Sequence, residues 1–314
     1  MLAVTWAAPE EVDLAPLPST VPEWGVDTAR IELGDQPYAL YADGPTLWVS
    51  GGRGGVLKVR DRPVARFPHP TGPLGITVVD GEVWTTASSE HRHAAAAVVV
   101  LDPETGDVVR TIRLPGDSPY GIDHAGGGVF VALHDGEVLR IDPRDESTTR
   151  VRLREGLTQV LATDDAVWVS QPRAGVVWRV ELEGDEAAVE PIRLAGRGTR
   201  SCPQGSAAGQ RFILVADSCA GKVWLLGPRS GEITGSISDA GDKPVDVSVD
   251  GGLIYVVSFR EDRVTVLEEA TLQEVASAQT GNGAISVAAD SGTAWVANLD
   301  DSTLTRIEVR RGSP

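Results

Sequence analysis

Apolar and polar positions along the chain fall into short runs, and one run keeps returning. An aromatic or large apolar residue is followed by a β-branched residue and then a small one. It occurs as Trp48-Val49-Ser50, Trp84-Thr85-Thr86, Phe130-Val131-Ala132, Trp168-Val169-Ser170, Leu214-Val215-Ala216, Tyr255-Val256-Val257 and Trp295-Val296-Ala297. Six intervals separate positions 48 and 295, a mean period of about 41 residues, which is the length of one four-stranded propeller blade. Upstream of most copies lies a Pro-led strand, as in Pro37-Tyr38-Ala39-Leu40, Pro73-Leu74-Gly75-Ile76, Pro119-Tyr120-Gly121-Ile122 and Pro244-Val245-Asp246-Val247. Tight turns such as Asp80-Gly81 and Asp250-Gly251-Gly252 join these strands to the repeat, and Asp-Gly pairs favour two-residue hairpins. Downstream, runs such as Val138-Leu139-Arg140-Ile141 and Val264-Thr265-Val266-Leu267 predict a third strand. Turns at Asp102–Gly106 and Gly227–Gly231 then lead to a fourth strand ending in Ile112-Arg113-Leu114, Val151-Arg152-Leu153 or Ile192-Arg193-Leu194.

The two ends of the pattern complement each other. After the last repeat, Leu304 to Val309 supplies a third strand without a fourth, while Ile31-Glu32-Leu33 near the other end matches the fourth-strand pattern. It is followed by Gly34-Asp35-Gln36-Pro37, a cousin of Gly116-Asp117-Ser118-Pro119 and Gly241-Asp242-Lys243-Pro244. The prediction is therefore all-β: a seven-bladed β-propeller of four-stranded antiparallel blades, its ring closed by the N-terminal strand completing the last blade. Closure leaves no long unpaired edge. Residues 1–27 read as an extended tether rich in Pro and acidic residues, 28–310 as the propeller, with 28–33 completing the last blade, and 311–314 as a tail.

Composition agrees with this reading and narrows the partners. The chain has 314 residues, with 35 Gly, 20 Pro and one Met, and lacks long Leu/Lys/Glu-rich helical stretches. Its net charge of −17 argues against nucleic acid and anionic membrane surfaces as partners, since both call for a basic face. No apolar run reaches the length of a membrane span. A closed ring offers no strand edge for association, so a monomer is expected. Met1–Ala8 is apolar but short and without a basic leader, a poor export signal as it stands. The expectation is cytoplasmic if Met1 is the native start.

With Asn298 following the last repeat, the aromatic–Val–small pattern after a Gly-rich turn resembles bacterial propellers with YVTN-type repeats. Pro-led first strands and Trp in the second strand equally resemble the streptogramin B lyase (virginiamycin B lyase-like) group. The resemblance covers about residues 28 to 310 and implies the fold. It also implies that function resides on the face carrying the loops that enter the first strands and leave the second strands. Lyases of that group use a His and a Glu with a divalent metal for proton transfer during elimination, the His lying at a first-strand entry of the later blades. Here those entries read Lys243-Pro244-Val245-Asp246 and Asn282-Gly283-Ala284-Ile285, with no His in the later blades. That pair does not transfer.

Candidate ligand-binding residues follow from this face. First-strand entries place Tyr38, Leu74, Tyr120, Gln159, Gln204, Val245 and Asp246 there. Second-strand exits add Arg53, Arg173, Asp217, Arg260 and Asn298, together with His91 and His134 as candidate bases. Arg53, Arg173 and Arg260 occupy equivalent positions and would attract a carboxylate or phosphate, unless they pair with local acids such as Glu261 and Asp262. His91 and His93 lie in the longest of these loops, where alternating imidazoles suit a divalent metal, although no third ligand is set by spacing. His69 and His124 complete the five histidines. Gly51-Gly52-Arg53-Gly54-Gly55 joins two strands and is a turn rather than a nucleotide loop.

Cys202 lies at the entry to the first strand of the fifth blade and Cys219 at the exit of its second. These ends are neighbours in an antiparallel hairpin, so a disulfide is geometrically reasonable and would place the protein outside the cytoplasm; two free thiols is the alternative. Two functional readings stand. One is a binding propeller, a sensor or scaffold that recognises a small anionic ligand or a partner protein on its loop face. The other is an enzyme resembling the streptogramin B lyases, performing metal-assisted elimination or hydrolysis at the channel mouth.

Overall fold

The computed structural model describes residues 24–311 apart from 52–54, 70, 88–95, 117, 184–185 and 197. Its strands form seven four-stranded antiparallel sheets. Six are built from consecutive strands, beginning at Pro37, Pro73, Pro119, Val160, Pro203 and Pro244, and are numbered blades 1 to 6. Blade 7 takes its first three strands from Ala284–Asp290, Thr293–Asn298 and Thr303–Arg311, and its fourth from Trp24–Glu32 at the other end of the chain. That closing strand pairs continuously from Trp24 opposite Arg311 to Glu32 opposite Thr303. It starts four residues before the expected boundary at 28, and Leu33 lies just beyond it, its N–H bonded to the Ser302 carbonyl at 3.1 Å. A single 3-10 turn, Pro172–Ala174, is the one helical element among the described residues.

The core is distributed rather than central. Seven buried apolar clusters each bridge two neighbouring blades: Trp84, Val98 and Val100 of blade 2 meet Ile122, Val129 and Val131 of blade 3, and so on around the ring. Each sheet is thus covered on both faces, which is why the second strands are buried at nearly every position instead of alternately. Fourth strands lie on the rim and keep one face wet.

The third position of the repeat has a specific use. Ser50, Thr86 and Ser170 stand next to last in their second strands and donate a hydroxyl hydrogen to the first-strand carbonyl of the next blade, at Leu74 (3.2 Å), Tyr120 (3.1 Å) and Gln204 (2.7 Å). These bonds pin successive first strands together around the channel. Each of six first strands opens with a register shift just after its leading residue, as between Pro119 and Ile122 or Pro203 and Ser206. Proline has no N–H to give the ladder, so it is tolerated at this first position. The glycine two residues later answers crowding. A Cβ on Gly205 would stand 1.8 Å from Asp246 Oδ1, and one on Gly121 would stand 2.8 Å from the Val160 nitrogen. At these two positions the neighbouring blade approaches too closely for a side chain.

Candidate functional site

The seven first strands enclose a central channel of about 610 Å³. Tyr120, Gln159, Gln204 and Asp246, all expected at the loop face, line it together with Leu74. Tyr38 is half-buried and precedes the lining residue Ala39. Val245 packs against the cluster between blades 6 and 7. The Asp246 carboxylate reaches across a blade boundary: it accepts the N–H of Val247 at 3.0 Å and that of Val287 in blade 7 at 2.9 Å. Burial dominates these bonds and pushes its pKa up to about 6. Asp123 does the same between blades 3 and 4, accepting from Ala162 at 2.8 Å, and burial raises it too.

Two expected ligand-binding residues are turned inward. Asp217 and Asn298 end the second strands of blades 5 and 7, opposite the leading residues Pro203 and Ala284. Both are fully buried. Asp217 accepts hydrogen bonds from the Cys202, Cys219 and Ala220 N–H groups, from the Ser201 hydroxyl and from the Trp224 indole. Asn298 donates to Thr303 and Thr305, both at 3.0 Å. Gln171, at the same place in blade 4, accepts from the Trp178 indole at 3.0 Å. In all three blades this side chain bonds a partner seven residues on, in the third strand. The position braces the hairpin.

Of the three equivalent arginines, two lie among the described residues. Arg260 is paired with Asp242 at 3.1 Å. Arg53, like His91 and His93, lies outside the described residues. Arg173 stands exposed in the 3-10 turn and lines two adjoining clefts on the loop face. The cleft between blades 4 and 5, about 500 Å³, is lined by Arg173, Arg193, Arg200, Thr199 and Ser201, with no carboxylate among the described residues. The cleft between blades 3 and 4, about 410 Å³, is lined by Arg173, Arg154, Glu155, His134 and Gln171. The guanidinium groups of Arg154, Arg173, Arg193 and Arg200 make no ion pair or hydrogen bond to another described residue. Arg154, Arg193 and Arg200 were not singled out from the sequence. Arg193 reads there as an ordinary outer-strand residue, and the available signal was the long irregular entry after it.

His134 sits at the channel mouth. Its ring lies 5.4 Å from that of Tyr120, and its Nδ1 faces the Leu157 carbonyl at 3.3 Å, so Nδ1 is the donor there. The other described histidines are occupied within the fold. His69 bridges the Thr71 carbonyl and the Thr85 hydroxyl, and burial lowers its pKa. His124 bonds the Thr77 hydroxyl at 2.9 Å.

Cys202 and Cys219 form a disulfide, with Cα atoms 5.1 Å apart. It ties the loop bearing Arg200 and Ser201 to the turn after the second strand of blade 5.

With this geometry in view, similarity to known structures is informative. A solved structure described as "Streptogramin B lyase structure" superposes with a TM-score of 0.75 at 15% identity, covering 91% of this chain and 98% of the other. In fold, the chain is a streptogramin B lyase-like propeller. A computationally designed protein, Ika8, also superposes, with a TM-score of 0.64 at 10% identity over 88% of this chain and 98% of that one. No family model matches the chain, and no curated protein matches it. Identities this low carry the lyase-like fold alone. The metal chemistry implied by the resemblance does not fit the donor set: blades 5 to 7 contain no His. No group of three or more His, Cys, Asp or Glu side chains is poised to hold a metal among the described residues.

Proposed function

We propose that this chain is a binding propeller, a sensor or scaffold whose loop face over blades 3 to 5 recognises a small anionic molecule or an anionic group on a partner protein. The observation that carries this reading is the set of four exposed arginines, Arg154, Arg173, Arg193 and Arg200, around two adjoining clefts without a compensating ion pair among the described residues. In a chain of net charge −17, such guanidinium groups would ordinarily find carboxylates, as Arg260 finds Asp242. Mutual repulsion among them is relieved by an oxyanion, which each fork can bind in a bidentate manner. The blades hold the walls of the clefts in place, so the ordering cost of binding falls mainly on the arginine side chains. A disulfide at the cleft wall supports an extracytoplasmic setting.

The test is thermal unfolding at 0.15 M salt with inorganic phosphate, sulfate or succinate. A ligand at a hundred times its Kd stabilises the fold by about 2.7 kcal/mol, so the midpoint rises with concentration in wild type and not in Arg173→Ala. An equal rise in both proteins would refute the assignment.

A second reading, lyase-like elimination or hydrolysis, rests on His134 and Glu155 lining one cleft beside Arg154 and Arg173. There His134 would serve as the base and the arginines would stabilise developing negative charge. Turnover that requires His134, with or without added divalent metal, would favour it over simple binding.

A further inference from the structure

We infer that the two clefts form one bipartite site for a linear small molecule bearing two oxyanionic groups, with Arg173 between them. This rests on the binding reading above and specifies the ligand class. Arg173 is common to the linings of both clefts. They are therefore neighbouring compartments of one surface, separated by the turn Pro172–Ala174.

The compartments differ in charge. Between blades 4 and 5, Arg173, Arg193 and Arg200 face a lining without a carboxylate among the described residues, and Thr199 adds a hydroxyl. The Ser201 hydroxyl is already given to Asp217, so its oxygen is left to accept. This compartment suits the more highly charged end of a ligand. Between blades 3 and 4, Arg154 is accompanied by Glu155 and by the His134 ring, with Asp135 next in sequence. That compartment carries less positive charge and suits a singly charged or hydrogen-bonding end. The Gln171 amide is spent there, donating to the Glu155 carbonyl at 2.7 Å and accepting from Trp178. Recognition in this compartment falls to Arg154, Arg173, Glu155 and His134.

A ligand anchored in the first compartment meets the second at high effective concentration, so two moderate contacts combine into a much tighter one. A single compact anion would fill only one compartment and would be indifferent to Arg154.

Isothermal titration at 0.15 M salt tests this with orthophosphate and tripolyphosphate, and in parallel with acetate and adipate to separate phosphate from carboxylate chemistry. In wild type the longer member of each effective pair binds at least about tenfold more tightly. Arg154→Ala costs the longer ligand about tenfold and leaves the short one unchanged, whereas Arg200→Ala weakens both. Arg173→Ala removes the advantage of length. These arginines are exposed, so unfolding midpoints without ligand stay near wild type and certify the fold. Tripolyphosphate and adipate binding that is insensitive to Arg154, or no tighter than that of the short ligands, overturns the bipartite site while leaving anion binding intact. Absence of binding by all four probes, with Arg173→Ala indistinguishable from wild type, overturns both.

Discussion

Asp217 offers the sharpest test of how the loop face is held. Its carboxylate is fully buried and accepts five hydrogen bonds. Oδ1 takes the N–H groups of Cys202, Cys219 and Ala220 at 2.8, 3.1 and 3.0 Å. Oδ2 takes the Ser201 hydroxyl at 2.5 Å and the Trp224 indole at 2.9 Å. Asp217→Asn keeps an oxygen for the three backbone donors but sets an NH₂ against the indole N–H. The serine hydroxyl can rotate to accept; the indole cannot. One buried donor is left unsatisfied and the charge assistance is lost, at a cost of about 2–4 kcal/mol. Urea unfolding followed by tryptophan fluorescence at pH 7 reads this directly. In a Trp224→Phe background the clashing donor is gone, so the same substitution costs about 1–2 kcal/mol less. Replacing both cysteines by serine provides a scale, since opening a bridge between residues 17 apart costs about 3 kcal/mol. A cost for Asp217→Asn below about 0.5 kcal/mol, or one unchanged by Trp224→Phe, would refute the brace.

Three further predictions address the channel and the ring. Asp246 has its pKa raised from 3.8 to about 6 in the folded state, so the native protein holds a proton that the unfolded chain releases. Between about pH 4 and 6 the native form binds more protons, and Asp246 therefore withdraws stability as pH rises, by ~3 kcal/mol in all. Asp246→Asn removes that component, and the wild-type minus variant difference in unfolding free energy falls across this window; a flat difference would show that the carboxylate is not held buried. For ring closure, Ile31 is buried in the cluster between blades 7 and 1, and Ile31→Ala costs about 2–4 kcal/mol by equilibrium unfolding. A chain lacking residues 1–32 exposes the Thr303–Arg311 edge and associates in analytical ultracentrifugation, whereas a stable monomer of unchanged midpoint would contradict closure by that strand.

Much of the architecture was legible because each blade repeats the same physical problem. A sheet covered on both faces needs apolar second and third strands, a rim strand with one wet face and tight turns between them. That recurs as the Trp-Val-Ser pattern, the leading Pro and the Asp-Gly turns. Ring closure was legible for a related reason: an unpaired third strand at one end and an isolated fourth-strand pattern at the other are complementary. The channel residues Tyr120, Gln159, Gln204 and Asp246 were legible as first-strand entries, whose distance from the channel is fixed by topology.

Side-chain direction at the second-strand exits was not legible. Asp217 and Asn298 look like exposed loop-face polar groups, yet at the residue opposite the leading position the side chain turns into its own hairpin and bonds the third strand seven residues on. Arg260 is paired with Asp242, a residue from the entry loop of its own blade, whereas Arg173 shares a cleft with Arg193 of its own blade and with Arg200 from the connection to blade 5. The sequence by itself determined the repeat, the number of blades, the closing strand and the hairpin that brings Cys202 to Cys219, because each follows from local periodicity and antiparallel pairing. Only the tertiary structure decided which charges meet. Arg173 and Arg193 are brought together by the pairing of the third and fourth strands of blade 4, but Arg154 and Arg200 come from the connections on either side of that blade, and their convergence on Arg173 depends on the angular spacing of blades around the ring, a quantity that no local pattern encodes.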